Sequence, residues 1–367
     1  MAEGVIEYIS NNILLYGFSG FMLALFISLF LVPTIFKLAL TKDFTDTPSS
    51  RKSHYKDVPV LGGVAVYLSA VFAILVMANI IPPKLDINLF FLLSFTSMAI
   101  VFIGLVDDIL GIKLHMKFLT QVVLAIVIIY LNGNYIENMG GIFGVYELTN
   151  TISFLLSVFV YVVFINMFNL IDGIDGLASS FSVICFLFFI FVAHIYGSFD
   201  NMLIGMTGLG SIIPFLYYNM FSKKKIFLGD NGSLVLGLVF GYFAIDFLSL
   251  NNTQAQFLFG NYNIVILMAL FSYPLVDTLR VFIVRSFSGK SPFSADKNHI
   301  HHILLQLGFS HISATLVIVL YTFAITGVSL LMAEININIS FLVLLGLAMF
   351  VICLPSLLVK RQNNLSV

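Results

Sequence analysis

The chain has 367 residues, 60% of them hydrophobic and 10% charged, with a formal net charge of -1. Soluble globular chains are about half apolar and about a quarter charged, so a cytosolic, secreted or disordered protein is excluded. The apolar runs are too long and too continuous for barrel strands. The composition predicts an all-α, polytopic integral membrane protein.

A helix needs about 20 mostly apolar residues to cross a bilayer. Eleven runs qualify: 12–40, 59–81, 88–106, 115–131, 151–169, 177–196, 201–220, 232–250, 262–284, 312–332 and 338–359. The segment Met1–Ser10 carries Glu3 and Glu7 without a basic residue and does not read as a cleaved signal peptide. The first run contains Lys37, and loop 41–58 holds Lys42, Arg51, Lys52 and Lys56. Lys84 follows the second run. The third leads through IVFIGLV into Asp107-Asp108, and loop 107–117 also holds Lys113 and Lys117. Adjacent carboxylates raise one another's pKa unless a cation lies between them. The pair is therefore a candidate Mg²⁺ site or general base; a solvated helix-end pair is the plainer alternative. Lys113 and Lys117, spaced i, i+4, share a face if both are helical.

The fifth run ends in Asn166-Met-Phe-Asn169-Leu-Ile-Asp172-Gly-Ile-Asp175-Gly176, in loop 169–177. A polar turn explains the glycines but not so many carboxylates and amides, and i, i+3 spacing puts Asp172 and Asp175 on one face if helical. Loop 220–231 carries Lys223, Lys224 and Lys225, then Phe227-Leu-Gly-Asp230-Asn-Gly-Ser233. Asp230 there is a third site carboxylate or, with Ser233, a helix cap. Loop 285–311 contains Arg285, Lys290, Asp296, Lys297, His299, His301 and His302. Three histidines suit either zinc or a phosphate. With Asp296 as N-cap they would occupy a helix start, where free N–H groups favour an anion. Cys185 and Cys353 lie in apolar runs and read as packing residues.

With eleven crossings, 16 of the 17 basic residues fall on one side and Lys84 alone on the other. The positive-inside rule then puts the N-terminus outside and the C-terminus in the cytoplasm. Short connections and the lack of repeats predict one membrane-embedded domain over 1–367, with its functional loops (41–58, 107–117, 169–177, 220–231 and 285–311) on the cytoplasmic face. A secondary transporter would instead place ionisable groups near the midplane.

The segments RKSHYKDVPVLGGVAVY (51–67), FIGLVDDILGI (102–112), INMFNLIDGIDGL (165–177), IFLGDNGS (226–233) and PLVDTLRVFIVRSFSGKSPFSADKNHIHHILLQLGF (274–309) are informative together. In them the chain resembles the polyprenyl-phosphate N-acetylhexosamine-1-phosphate transferases, and it looks most like their WecA type, which uses undecaprenyl phosphate. It departs from the family's DDxxD motif in having Gly111 at the fifth position. The resemblance implies transfer of N-acetylglucosamine-1-phosphate from UDP-GlcNAc to undecaprenyl phosphate, giving UMP, or the same reaction with another UDP-N-acetylhexosamine. It implies Mg²⁺, replaceable by Mn²⁺, held by Asp230 with Asp107. It also implies catalytic roles for Asp107, Asp108 and His302. Asn166, Asp172, Asp175, Asn219 and Phe227 would bind the nucleotide. His299, His301, Arg285, Lys117 and Lys113 would bind phosphates or sugar. A bacterial inner-membrane location, lipid contacts, a homodimer and no nucleic-acid partner complete the expectation.

Overall fold

The computed structural model describes residues 12–42, 44–46, 58–80, 86–250, 262–287, 289 and 298–365. Glu3, Glu7, Arg51, Lys52, Lys56, Lys84, Lys290, Asp296 and Lys297 lie outside the described residues. The helices are α1 (Ile13–Thr41), α2 (Gly62–Ile80), α3 (Ile87–Leu110), α4 (Leu114–Asn132), α5 (Asn150–Ile171), α6 (Leu177–Tyr196), α7 (Phe199–Met220), α8 (Asp230–Ser249), α9 (Asn263–Leu270), α10 (Ser272–Phe287), α11 (Ile300–Gln306), α12 (His311–Leu331) and α13 (Ile337–Leu365). Two short antiparallel pairs join them, β1 (Thr45–Asp46) with β2 (Val58–Pro59) and β3 (Asn138–Ile142) with β4 (Val145–Glu147). Among the described residues, 10 helices are long and apolar enough to cross a membrane, or 11 when α9 and α10 count as one span.

The run 262–284 differs from a straight helix: α9 and α10 meet at a bend of 72°. The N–H of Phe271 still reaches the carbonyl of Leu267 (3.0 Å), but Pro274 lies in the first turn of α10. A proline has no N–H to bond four residues back, so the Leu270 carbonyl loses its helical partner at the bend; Pro33, Pro214 and Pro355 lie inside continuous helices, so a proline does not by itself end a helix here. The residues that look like one span in hydropathy are two helices.

The chain divides into two compact units. The first comprises residues 1–135, 154–172 and 178–247. Its most buried span is α8. Phenylalanines fill the space around it: Phe168 stacks on Phe240 at 4.9 Å and Phe189 on Phe243 at 4.8 Å between ring centres. Such pairs add about 0.5–1.5 kcal/mol each beyond burial. At the start of α8 the chain comes closer than any side chain permits. A Cβ on Gly104 of α3 would lie 2.5 Å from Asn231 Cα, and one on Gly63 of α2 would overlap the backbone of Gly232. Alongside, Phe227 N–H donates to Pro59 O (2.7 Å), Gly62 N–H to Phe227 O (3.0 Å) and Gly63 N–H to Leu228 O (2.9 Å). These bonds fix the loop before α8.

The second unit comprises residues 136–153, 173–177 and 248–367. Ile142, Ile264, Val265, Ala269, Ile325 and Leu344 form its apolar core. The β3–β4 hairpin, unforeseen from the sequence, is pinned to α13 by Phe143, whose N–H donates to Asn338 Oδ1 (2.6 Å) and whose ring meets Phe341 edge-on at 5.5 Å.

Candidate active site

In the first unit, Asp107 lies in the last turn of α3 and its Oδ1 accepts the N–H of Ile112 (2.7 Å). The chain turns there at Gly111, with φ +70°. L side chains rarely adopt that backbone, which accounts for a glycine where the family often has aspartate. Lys117 follows on α4, buried, and its ammonium donates to Asp107 Oδ2 (2.9 Å) and to Asp230 Oδ2. Asp230 Oδ1 accepts from Asn169 Nδ2 (2.7 Å), which also reaches Ser233 Oγ (3.1 Å). One cation thus serves two carboxylates, and amides satisfy much of what remains. Such a cluster is stable only with this compensation, because isolated buried charges are costly.

Lys113 does not share the helical face of Lys117. Helix α4 begins at Leu114, so Lys113 is its exposed N-cap residue and stands outside the helix that the i, i+4 spacing requires. Asp108 holds α8: Oδ1 accepts the N–H of Asp230 (3.0 Å), and Oδ2 accepts the N–H (3.2 Å) and Nδ2 (2.6 Å) of Asn231. A carboxylate at a helix N-terminus satisfies orphan N–H groups and suits the dipole. The cap of α8 therefore comes from α3 rather than from Asp230 with Ser233.

Asn166, on α5, donates to Gln121 Oε1 (2.6 Å) and to the carbonyl of Val162 (2.8 Å). Asn219 is buried and donates to the carbonyl of Ile226 (2.9 Å), steadying the loop that carries Phe227. The ammonium of Lys225 lies 5.2 Å from the centre of the Phe227 ring, a cation–π contact. Asp172 to Gly176 form a turn between α5 and α6, not a helix, with Gly176 at φ +77°. The shared helical face of Asp172 and Asp175 therefore does not exist.

In the second unit, Asp175 Oδ2 lies 2.9 Å from His311 Nδ1, and its carbonyl accepts from Thr315 Oγ1 (3.2 Å). His299 is the N-cap position of α11 and so does not form a helical face with His302. The capping is done by Asp277 of α10, whose oxygens lie 3.2 and 3.3 Å from the donating N–H of Ile300. Asp277 also pairs with His299 Nδ1 (2.9 Å) and Arg280 (2.8 Å), and Arg280 donates to the carbonyl of Asn298. Asp277 thus takes the place expected of Asp296. His301 is buried, with Nδ1 3.1 Å from the Tyr273 hydroxyl and its ring against Gly173. Burial, and then the neighbouring His302, hold its imidazole well below the usual range. His302 is half-buried and Arg285 is buried on α10.

Sequence patterns alone do not single out Asn169, Asn231, Gln121, Tyr273, Asp277 or His311 as site residues. A readable signal exists for two of them: Asn169 lies three residues after Asn166, and Asp277 with Arg280 is a charge pair inside an apolar run. Among the described residues there is no group of three or more His, Cys, Asp or Glu set to hold a metal. Mg²⁺ needs only one or two carboxylates when substrate phosphates and waters complete its octahedron. The hard oxygens of Asp107 and Asp230, already converging on one cation, fit that requirement.

Carboxylates, a shared lysine and amides at the ends of membrane-length helices define a membrane enzyme suited to anionic substrates. The model for glycosyl transferase family 4 matches residues 90–248. A protein of Bacillus subtilis (strain 168), named a probable undecaprenyl-phosphate N-acetylglucosaminyl 1-phosphate transferase, is 31% identical over 351 residues, covering 94% of this chain and 93% of its own. The undecaprenyl-phosphate alpha-N-acetylglucosaminyl 1-phosphate transferase of Salmonella typhi is 28% identical over 311 residues, 82% of this chain and 81% of its own. That of Escherichia coli (strain K12) is 28% identical over 314 residues, 83% and 82%. The chain belongs to glycosyl transferase family 4, a family of transferases.

Proposed function

We propose that the protein transfers N-acetylglucosamine-1-phosphate from UDP-GlcNAc to undecaprenyl phosphate in the bacterial inner membrane, at its cytoplasmic face. The observation that carries the reading is the Asp107–Lys117–Asp230–Asn169 cluster at the ends of apolar spans, in a chain whose relatives bear that name. An oxygen of the lipid phosphate forms a bond to the β-phosphorus of UDP-GlcNAc, and the bond from that phosphorus to the bridging oxygen breaks. The electron pair leaves with UMP, and the lipid carries pyrophosphate-GlcNAc. Phosphate's second pKa is near 6, so positioning the nucleophile matters more than removing its proton.

Asp230 and Asp107 would hold Mg²⁺, which supplies charge neutralisation between two anions. Lys117 steadies both carboxylates and offers positive charge to the lipid phosphate. Asp108 acts by fixing α8, and with it Asp230. Asn166, Asp172, Asn219 and Phe227, and in the second unit Asp175, are proposed for the nucleotide. His299, His301, His302 and Arg285 are proposed for phosphates or sugar on the resemblance alone; the enclosed packing of His301 gives it a supporting role. The basic asymmetry of 16 to one supports a cytoplasmic site, and the product would initiate a cell-envelope polysaccharide such as an O-antigen, capsule or teichoic-acid polymer.

Purified protein incubated with undecaprenyl phosphate, Mg²⁺ and separate UDP-sugars tests this. UMP release with UDP-GlcNAc is expected. Release only with another UDP-N-acetylhexosamine changes the sugar, and release with none overturns the reading.

A further inference from the structure

We infer that Gln121 donates a hydrogen bond to a phosphate oxygen of the lipid substrate, one helical turn beyond Lys117. The inference rests on the transferase reading above. Gln121 follows Lys117 by four residues on α4, so the two share a face, with Gln121 about 6 Å further along the axis. It is 1% exposed.

The hydrogen bonds around it fix which end of each amide is which. Asn166 Nδ2 donates both to the Val162 carbonyl (2.8 Å) and to Gln121 Oε1 (2.6 Å). Its NH₂ group is therefore spent on two acceptors, and Gln121 must present oxygen to it. The NH₂ of Gln121 then faces elsewhere. Among the described residues no acceptor lies within its reach, although the atom is shut off from solvent. Native structures leave few such donors unmatched.

The surroundings say what acceptor suits it. Helices α4 and α5 carry polar groups in two successive tiers. Lys117 and Asn169 meet at Asp230, and Gln121 and Asn166 meet one turn on. The second tier has no charge of its own and lies further into the span. A neutral amide is tolerated there at far less cost than another lysine. Of the two substrates, the lipid brings its phosphate from the apolar layer, so its oxygens approach along the span towards Lys117. Nε2 lies on the opposite edge of the planar amide from Oε1, so it can donate to a bound oxygen while Oε1 stays on Asn166.

Two variants separate this role from simple support. Gln121→Glu keeps an acceptor for Asn166 and removes the donor. Gln121→Met removes both at similar size and adds no charge. KM is measured for undecaprenyl phosphate and for UDP-GlcNAc separately, with thermal unfolding as the check on folding. Both variants should raise KM for undecaprenyl phosphate about tenfold, the size of one hydrogen bond to a charged group. KM for UDP-GlcNAc should change less than about twofold on the same grounds. A Gln121→Glu enzyme with wild-type KM for the lipid overturns the inference, leaving only the tie to Asn166. So does a defect in Gln121→Glu alone, which is charge repulsion, or a rise confined to UDP-GlcNAc, which moves the donor to the nucleotide. Should Gln121→Met not fold, Gln121→Leu, also uncharged and without a donor, takes its place. Wild-type protein that releases no UMP from any UDP-sugar refutes the transferase reading itself, whatever the variants do.

Discussion

Lys117 is one cation divided between two carboxylates, whereas Asp277 is one carboxylate divided among Arg280, His299 and the N–H of Ile300. The first arrangement leaves negative charge over, and Asp107 and Asp230 keep 18% and 29% of their side-chain surface open. The second leaves Asp277 2% open, with its oxygens taken up in holding the start of α11. Surplus charge with open surface is what a cation and a phosphate can use. A saturated, enclosed carboxylate contributes architecture. Each cluster joins three ionisable side chains; their remaining valence separates them.

Lys117→Met should break the first cluster outright. It leaves two carboxylates without their shared cation, and removing one partner of a buried pair costs about 3–5 kcal/mol. Thermal unfolding should show a marked fall in Tm that millimolar Mg²⁺ partly reverses, since a divalent cation can replace the ammonium. A fall insensitive to Mg²⁺ would mean the open oxygens do not bind it. Any folded fraction should show a larger KM rise for undecaprenyl phosphate than for UDP-GlcNAc.

Asp230→Asn is nearly isosteric and removes one charge. Turnover should fall about 10²–10³-fold, the scale of losing one electrostatic contact to a transition state. Chelating the metal from wild-type protein should abolish turnover reversibly. Near-normal Mg²⁺-dependent activity in this variant would strip the open cluster of its chemical role.

His301 sharpens the other side of the comparison. Its imidazole is held well below the usual range by burial and then by His302. The folded protein therefore binds fewer protons there than the unfolded chain. Stability is fully present above the ordinary histidine pKa, near 6.5, and is lost as pH falls below it, by up to about 1.4 kcal/mol per pH unit. Unfolding measured between pH 7 and 5 should show this slope, and His301→Gln should flatten it. An unchanged slope would remove His301 from the supporting role.

Gly111→Asp, which restores the family's usual residue, has the smallest effect. A Cβ there meets nothing within 4 Å, so the cost is backbone conformation alone, about 1 kcal/mol. Higher turnover at unchanged stability would show that the missing carboxylate, not the turn, matters.

The spans and the polar residues were legible because hydropathy and composition are local. The i, i+4 reading of Lys113 and Lys117 failed since it assumed a helix that starts one residue later, at Leu114. The 72° break adjoins Pro274, but Pro33, Pro214 and Pro355 sit inside unbroken helices, and a run of apolar residues reports length and not direction. What could not be read was partnership across the chain. Asp108 caps a helix that starts 122 residues later, and Asp277 does the work expected of a nearer aspartate. No periodicity encodes such pairings; they arise when packing brings an unsatisfied N–H to a carboxylate.

The glycines beneath α8 have a consequence for how this chain tolerates change. Gly63 and Gly104 each stand where even a methyl group would collide with main chain of Asn231 or Gly232, and main chain cannot swing aside as a side chain can. Alanine at either position displaces the segment that bears Asp230. A mutational scan would then score these two positions alongside the carboxylates as indispensable, although neither has an atom to offer a substrate. Essential positions here form two populations, those that touch the reaction and those whose emptiness lets the others stand where they do.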